Sequence, residues 1–262
     1  IPITYRAGDQ PNNALSLNIL RNGEVAVTGG TSGVIYAVTN NTNSKEVSRI
    51  NNFAHVNYNA AMPSVGKLLC INGAGIMYRW LRNQSGDDSY EVMNLQAGKV
   101  DIGSDGLSII PFGNGAERML DNKNIGTQFC NINLNKHSKG HLYRAALEGI
   151  AFSFVYGMEI LKNDNAVINV IRAGNDNLFR SEIFSNTLAT LIGHEIEIYN
   201  TTGAVGAARA AGLLDGDFDK FGKNINDNDH VMTFVPLENK VPYLEAYQTW
   251  KNELEILLKN KL

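Results

Sequence analysis

A carboxylate and a glycine-rich turn near the start of the chain have the residue types that phosphoryl transfer requires. Asp9 lies in the segment Arg-Ala-Gly-Asp-Gln, and the segment Gly29–Gly33 reads Gly-Gly-Thr-Ser-Gly. A kinase needs a carboxylate within hydrogen-bond reach of the accepting hydroxyl, to take its proton as the phosphoryl group moves across. Glycines let the backbone approach a phosphate closely, and Thr31 and Ser32 add hydroxyl donors. Together these features suggest an acid beside a phosphate cradle.

Each of these two features also has a structural interpretation. Asp9, within Gly-Asp-Gln, is typical of a turn or capping residue. The glycines of Gly29–Gly33 are equally typical of a plain hairpin loop. The turn is not a Walker loop, because no Gly-Lys-Ser/Thr follows it. The choice between these interpretations depends on the elements that surround both features.

Strands are predicted on both sides of the glycine turn. Val25–Thr28 and Val34–Thr39 are rich in β-branched residues and read as a hairpin. Ser64–Asn72 is another apolar run, and small residues follow it. A helix is then predicted from about Gly75 through Leu81. Its glycine-lined N-terminus would present free N–H groups, which is a second feature that favours an anion.

The rest of the chain alternates between predicted strands and helices. The longest predicted helix has apolar residues at three- and four-residue steps. The predicted elements are strand Leu107–Phe112, helix His141–Lys162, strand Val167–Ile171, helix Phe179–Leu191, strand Ile196–Tyr199, helix Gly203–Leu214 and an amphipathic terminal helix Leu244–Leu258. The terminal helix is expected to pack on the body or on a missing partner. This order predicts an α/β mixed sheet flanked by helices, with ligands at the carboxyl ends of strands.

Two later glycine segments are weaker candidates. Gly174 and Asn175, between a strand and a helix, would floor a nucleotide pocket, although a helix cap by Asp176 or Asn177 is the more probable interpretation in isolation. Gly206 is interpreted as a residue that lets its helix pack tightly on the sheet.

Composition narrows the classes of function. The 262 residues carry a formal charge of −3 with no dense Lys/Arg stretch, which argues against nucleic acid or an anionic membrane as partner. No apolar run reaches the ~18 residues of a membrane span. Cys70 and Cys130 are expected to be buried, reduced thiols, which fits a cytoplasmic protein. His137 and His141 have helical spacing, but they lack companions at ligand spacing, so no metal site is predicted. We expect a single domain over residues 1–262.

Five ordered segments resemble the carboxy-terminal lobe of the FGGY family of carbohydrate kinases. The segments are Arg6–Gln10, Gly29–Gly33, Gly73–Asn83, Ile110–Arg118 and Cys130–Glu148. The first is similar to the family segment with the catalytic aspartate, the second to its second phosphate motif and the fourth to its Gly-Glu-Arg loop. The last is the most specific, because it reproduces the family's long carboxy-terminal signature almost residue for residue.

The resemblance implies an actin/hexokinase-like (ribonuclease H-like) ATPase lobe that uses ATP and Mg²⁺. It implies that Asp9 is the base toward a sugar hydroxyl, and that Gln10 helps to orient the sugar. The remaining implied contacts are to the nucleotide. Gly30, Thr31 and Ser32 would hold the terminal phosphates, while Gly75, Gly174 and Asn175 would line the nucleotide.

The segments around Asp9 and Cys70 are most similar to the xylulokinase branch, so D-xylulose is the favoured acceptor. Kinases for ribulose, gluconate or glycerol are alternatives, and a non-catalytic actin-like module that binds nucleotide or a protein is the alternative from another class. The chain departs from the family at Ala173–Asp176, where a glycine run is usual, and at Asn131, where a glycine is usual.

Family members also have an amino-terminal lobe with a further phosphate motif and most sugar contacts. Since the sequence begins at Ile1 rather than Met, we expect it to start inside a longer protein. Phosphoryl transfer requires a closed cleft, so this chain alone is expected to be inactive. Its expected partners are the sugar, ATP and the missing lobe, and a homodimer is left open.

Overall fold

The computed structural model describes residue 3 and residues 5–86, 89–213, 218, 221 and 229–260. The helices in these ranges are α1 (Asp9–Ser16), α2 (Gly75–Ser85), α3 (Tyr90–Ala97), α4 (Lys139–Asn163), α5 (Glu182–Ile192), α6 (Gly203–Ala211) and α7 (Val241–Asn260). The strands are β1 (Glu24–Gly29), β2 (Gly33–Thr39), β3 (Ile50–Ala54), β4 (Val65–Ile71), β5 (Ser108–Ile110), β6 (Gln128–Cys130), β7 (Val170–Gly174), β8 (Ile196–Tyr199) and β9 (His230–Phe234).

A mixed seven-stranded sheet has the order β3-β4-β2-β1-β7-β8-β9. β1 and β2 form the predicted antiparallel hairpin, and β4 pairs antiparallel with both β2 and β3. β7 is parallel to β1 and to β8, as the strand-helix-strand alternation predicts, and β9 closes the far edge antiparallel to β8. β5 and β6 form a separate two-stranded sheet.

The central strands β1, β2 and β4 are buried on both faces, and they accordingly carry apolar residues at successive positions rather than in alternation. Val25 and Val27 of β1 belong to a cluster with the buried residues of α4. Ala26, between them, belongs to a second cluster with Ala14 and Leu17 at α1. Helices therefore pack on both sides of the sheet, with the long α4 on one side and α1 on the other.

Two predicted elements begin three residues later in the structure. The strand predicted at Val167–Ile171 is β7, three residues later, because pairing with β1 starts only where Val170 lies opposite Glu24. The helix predicted at Phe179–Leu191 starts at Glu182, after a short 3₁₀ helix. Ser181 caps its N-terminus by accepting a hydrogen bond from the Phe184 amide (3.5 Å).

Five elements were not predicted, namely α1, β3, α3, β6 and β9. Of the two expectations for the terminal helix, packing on the body is confirmed: Trp250 of α7 is buried, and its indole Nε1 donates to the Ile109 carbonyl (2.9 Å). The helix predicted to reach Leu214 is helical to Ala211, and Leu214 itself lies outside the described residues.

A buried histidine joins the β3–β4 connection to β2 and to the segment that follows α1. His55 is 3% exposed, with its Nε2 atom 2.9 Å from the Ile19 carbonyl oxygen and its Nδ1 atom 3.0 Å from the Tyr36 hydroxyl. A carbonyl can only accept, so Nε2 carries the proton and Nδ1 accepts from Tyr36. Burial lowers the pKa of His55 from 6.5 to about 4, against the opposing effect of the Ile19 hydrogen bond.

The free energy of unfolding should fall in mild acid, because the folded protein keeps His55 neutral. Above pH 6.5 the imidazole is neutral in both states, so its contribution is fully present. Below pH 6.5 the unfolded chain takes up a proton that the folded chain refuses down to about pH 4. We expect a loss of about 2 kcal/mol between pH 7 and pH 5, measured by urea unfolding.

The control is His55→Gln, whose amide keeps polar atoms at the site but does not titrate. It should lose the His55 part of the pH dependence, whatever its stability at pH 7. An identical pH dependence in parent and variant would contradict the assignment.

Candidate active site

The chain leaves the large sheet four times at one edge. β1, β4, β7 and β8 point in the same direction, so their carboxyl ends lie side by side. The connections that follow them are 30–32, 72–74, 175–176 and 200–202. In α/β sheets, ligands bind at the carboxyl ends of strands. Both glycine segments predicted to contact nucleotide, Gly29–Gly33 and Gly174–Asn175, lie at this edge.

Asp9 is the first residue of α1, and its side chain is exposed to solvent. One carboxylate oxygen, Oδ1, accepts from the amide of Gln10 (2.9 Å). The other, Oδ2, lies 3.4 Å from the side-chain Nε2 of Gln10. The side chains of the two residues predicted to face the sugar thus lie together, and the carboxylate is accessible to a hydroxyl group.

A side-chain hydrogen bond joins α1, which begins at Asp9, to the glycine-rich turn Gly29–Gly33. This turn is called the phosphate turn below, after its predicted ligand. The amide Nδ2 of Asn13 donates to the hydroxyl of Thr28 (2.8 Å), which lies directly before Gly29. Asn13 follows Asp9 by four residues, so both occupy the same face of α1. The bond therefore sets the position of the acid relative to the turn.

Contacts with α6 and with Arg172 of β7 also fix the position of α1. A Cβ atom on Gly206 of α6 would lie 2.3 Å from the Asn12 carbonyl oxygen, so only glycine permits this approach. The close packing expected at Gly206 is thus against α1 and not, as predicted, against the sheet. Arg172 of β7 donates to the carbonyls of Leu17 (3.4 Å) and Asn18 (2.8 Å) at the end of α1.

The turn between β1 and β2 offers several unused donors. Among the described residues, no acceptor takes up the backbone amides of Gly30, Thr31 and Ser32 or the hydroxyls of Thr31 and Ser32. Thr31 is exposed and the other two are half-buried. Consecutive free amides and hydroxyls in a turn form a concave donor surface for phosphate oxygens.

The N-terminus of α2 is not the free anion site that the sequence suggests. The amides of Gly75 and Ile76 donate to the carbonyls of Gly30 (3.1 Å) and Thr31 (3.0 Å), and the Met77 amide donates to Ala74 (3.0 Å). The prediction of free N–H groups there is wrong, because the hairpin turn occupies them. The helix instead holds the carbonyl side of the turn, which leaves the amides of the turn free.

Replacement of Gly75 by Ala should disturb this contact. A Cβ atom would lie 2.4 Å from the Gly30 carbonyl oxygen, and backbone cannot yield as a flexible side chain can. We expect a loss of ~1–3 kcal/mol in the free energy of unfolding, as for other overpacked sites, measured by urea unfolding.

The matched control is Gly30→Ala, in the same contact. Its Cβ would find only the Ser32 carbonyl oxygen, at an ordinary 3.5 Å, and the φ angle of Gly30 is not positive. It should change stability by less than ~0.5 kcal/mol, as substitutions without clashes do. Equal stability of parent and Gly75→Ala would show that the helix and the turn are not in tight contact.

Gly174 is the last residue of β7, and Asn175 follows it, near the segment that leads into α6. The Asn175 amide donates to the Tyr199 carbonyl (2.8 Å), and the Asn175 carbonyl lies 3.5 Å from Nε of Arg180. A Cβ on Gly174 would lie 3.5 Å from the Thr201 carbonyl oxygen, so the backbone here is open rather than tightly packed. Asp176 precedes the 3₁₀ helix, but its side chain makes no capping hydrogen bond.

Neither histidine of the His137/His141 pair takes part in this edge. The His141 ring completes the capping of α4, with Nδ1 3.2 Å from the Ser138 amide, and His137 accepts from the Asn133 amide (3.0 Å). Across the described residues, no group of three or more His, Cys, Asp or Glu could hold a metal ion. In the same ranges, no helix is long and apolar enough to cross a membrane.

Cys70 lies near the end of β4, opposite Val34 of β2. Burial is the main reason why the pKa of the Cys70 thiol is raised; Arg118 lowers it, and Glu117 and Asp9 raise it further. Both cysteines are free thiols, but half-buried rather than buried as expected.

Sequence reasoning missed two residues that support this edge, Asn13 and Glu117. Asn13 has no local signal, because an asparagine in a short polar segment is ordinary. Glu117 lies within the Gly-Glu-Arg resemblance, which marked the segment without assigning a role to the carboxylate.

Known proteins share this fold and much of this sequence pattern. Gluconokinase of Bacillus subtilis (strain 168) is 28% identical over 236 residues, which cover 84% of this chain and 44% of that protein. Xylulose kinase of Escherichia coli (strain K12) is 24% identical over 218 residues, which cover 82% of this chain and 43% of that protein. The chain thus spans less than half the length of these relatives.

A solved structure and a family profile complete the comparison. The crystal structure of xylulose kinase from Rhodospirillum rubrum matches with a TM-score of 0.83 at 23% identity, over 96% of this chain and 50% of that one. The predicted actin/hexokinase-like fold of sugar kinases is thereby confirmed. The profile of the FGGY family of carbohydrate kinases, C-terminal domain, matches residues 25–214. Because this match covers well over half of the sequence, the chain belongs to the FGGY family of carbohydrate kinases and corresponds to its C-terminal domain.

Proposed function

We propose that this chain is the carboxy-terminal lobe of an ATP-dependent sugar kinase and that Asp9 is its general base. The observation that carries the proposal is the pairing of an exposed carboxylate with a turn of unused donors, joined by the bond between Asn13 and Thr28. A base and a phosphate cradle at one sheet edge are the parts that phosphoryl transfer needs.

In the proposed reaction, a sugar hydroxyl oxygen attacks the terminal phosphorus of ATP. The bond from that phosphorus to the bridging oxygen breaks, ADP leaves, and the hydroxyl proton moves to the carboxylate of Asp9. The free amides of Gly30, Thr31 and Ser32 would bind the terminal phosphates, and Gln10 would orient the sugar.

The adenine nucleotide would extend along the open backbone at Gly174 and Asn175. Gly75 would contribute by its lack of a side chain, because its amide already binds the turn. Mg²⁺ commonly takes one or two carboxylates plus substrate phosphates. The family resemblance implies a magnesium-associated carboxylate in the amino-terminal lobe, so we expect part of the Mg²⁺ site there, together with most sugar contacts.

D-Xylulose is the proposed acceptor, on the resemblance of the segments around Asp9 and Cys70 and on the similarity to a xylulose kinase. The higher identity to a gluconokinase supports D-gluconate as the second candidate. Assays of the full-length polypeptide with ATP and D-xylulose, D-gluconate, D-ribulose or glycerol decide between them. Highest kcat/KM with D-gluconate would replace D-xylulose, and no turnover with any of the four would contradict the kinase proposal for these acceptors.

The 262-residue chain by itself is expected to show no turnover, because it supplies only one wall of the cleft. ATP-dependent phosphorylation by the isolated chain would contradict this. The isolated chain remains suitable for unfolding measurements, provided that its circular dichroism shows the mixed helix and strand content of the fold.

A further inference from the structure

The loop 72–75 joins β4 to α2 and includes Gly75, the first residue of α2. It lies between the phosphate turn and the segment that contains Glu117. Glu117 is 1% exposed, and its Oε2 atom accepts from two consecutive amides, those of Asn72 (2.8 Å) and Gly73 (3.1 Å). The carboxylate thus binds the loop at its beginning, as an anion binds paired backbone amides.

The end of the same loop binds the phosphate turn. The amides of Gly75 and Ile76 donate to the carbonyls of Gly30 and Thr31. Four residues therefore connect the Glu117 carboxylate to the carbonyls of the turn whose amides face the nucleotide site. A shift of the loop at one end must be transmitted to the turn at the other.

The loop has little room to move elsewhere. A Cβ atom on Gly73 would lie 2.3 Å from the Pro111 carbonyl oxygen, so the backbone of the loop is in close contact with that segment. The Asn72 side chain donates to the Ala116 carbonyl (2.7 Å), next to Glu117. The loop is thus a rigid connection rather than a free link.

The two oxygens of the Glu117 carboxylate differ in their surroundings. Its second oxygen, Oε1, is buried and has no hydrogen-bond partner among the described residues. Burial raises the pKa of this carboxyl, and the amides of Asn72, Gly73 and Met119 oppose the rise. A buried carboxylate costs folding free energy unless donors compensate it, so the amides of Asn72 and Gly73 are the groups that hold the Glu117 side chain in this position.

We propose that Glu117 is a positioning residue for nucleotide binding, which sets the phosphate turn through the 72–75 loop. The inference rests on the proposed function of the turn. It requires the length of the side chain, because Oε2 must reach two amides at once. The proposed role does not require a contact between Glu117 and the nucleotide.

Two conservative variants of the full-length polypeptide separate the effect of the length of the Glu117 side chain from the effect of its charge. Glu117→Asp keeps the charge but is one methylene shorter, so it cannot hold both amides in place. Glu117→Gln keeps the length and an accepting oxygen. We expect Glu117→Asp to weaken ADP binding about tenfold and to raise the KM for ATP similarly, because one hydrogen bond of this kind is at stake. Glu117→Gln should stay within about threefold.

The control is Asn114→Ala, which removes an exposed hydrogen bond to the same loop, from Asn114 Nδ2 to the Asn72 carbonyl (3.2 Å). It should leave ADP affinity unchanged. The KM for the sugar should be unchanged in all three variants, since a general loss of structure would raise both KM values. Titration calorimetry with ADP and steady-state kinetics give the two readouts.

Three results would overturn the inference: parent-like ADP affinity in Glu117→Asp, weaker binding in Glu117→Gln than in Glu117→Asp, or equal rises of both KM values. The first, in a polypeptide that phosphorylates a sugar, would refute the inference and leave the proposed function intact. A parent that neither binds ADP nor phosphorylates any sugar would refute both.

Discussion

Asp9→Asn in the full-length polypeptide is expected to lower kcat by ~10²–10⁴-fold, with little change in either KM. That is the usual contribution of a general base to proton transfer. Asn keeps an oxygen that can accept from the Gln10 amide, as Asp9 Oδ1 does at 2.9 Å, so the start of α1 should not change. The variant removes the proton acceptor and leaves the cradle in place. Steady-state kinetics with the preferred sugar measure the effect.

The matched control for Asp9→Asn is Glu91→Gln, which neutralises an exposed acid in the first turn of α3. It makes the same change of charge at a helix start outside the sheet edge and should keep parental kcat. Thermal unfolding of both variants should match the parent. If Asp9→Asn retained activity within about threefold, Asp9 would not be the base. The non-catalytic actin-like module would then be the stronger reading.

The parts of the fold that were predictable have local signals. β1 and β2 were predicted because β-branched residues flank a glycine turn, and α4 because its apolar residues recur at helical steps. β3 has no such signal: Ile50 is buried, but the four residues after it are half-buried or exposed. It is a strand because its backbone pairs with β4. No local sequence pattern predicts that pairing.

α1 shows the same limit within the site. It is eight residues long with Pro11 in its first turn, and isolated helices of this length are marginal in water. Gly206 lets α6 approach it, and Arg172 binds its last carbonyls. These contacts come from segments more than 150 residues away, so the sequence around Asp9 predicts a turn where the fold makes a helix.

The free amides of the phosphate turn and the occupied amides of α2 have one cause. The carbonyls of the turn accept from Gly75 and Ile76, whereas the amides of the turn have no acceptor among the described residues. The residue types of both segments were predicted to favour anions. Which of them keeps its donors free depends on a contact between segments 45 residues apart.

The largest expected effect on folding comes from a buried ion pair at the opposite end of β4. Lys67 and Asp164 have fully buried side chains, and Lys67 Nζ donates to the Asp164 carboxylate. Nζ also donates to the backbone carbonyls of Asp164 (2.9 Å) and Asn43 (3.2 Å). The carboxylate accepts from the Ser44 hydroxyl (2.8 Å) and from the Lys45 amide (2.5 Å). This pair ties the β2–β3 connection to the end of α4.

Burial by itself would raise the pKa of Asp164, but hydrogen bonds from Lys67, Lys45 and Ser44 outweigh it and hold the pKa below its usual value of 3.8. A carboxyl with a depressed pKa stabilises the fold at pH values above its unfolded pKa. That contribution is lost as the pH falls through the folded pKa. At neutral pH, Asp164 is therefore charged, and the stability of the site depends on the ammonium group of Lys67.

Lys67→Met should lower the free energy of unfolding by ~3–5 kcal/mol at pH 7, because it leaves the Asp164 carboxylate buried without a counter-charge. Adding Asp164→Asn removes that charge while keeping an acceptor for Ser44 and Lys45, so the double variant should regain much of the loss. Lys136→Met breaks an exposed pair with Asp105 and should change urea unfolding very little. A Lys67→Met variant as stable as Lys136→Met, or a double variant less stable than Lys67→Met alone, would contradict this account, because only an uncompensated buried charge predicts that order.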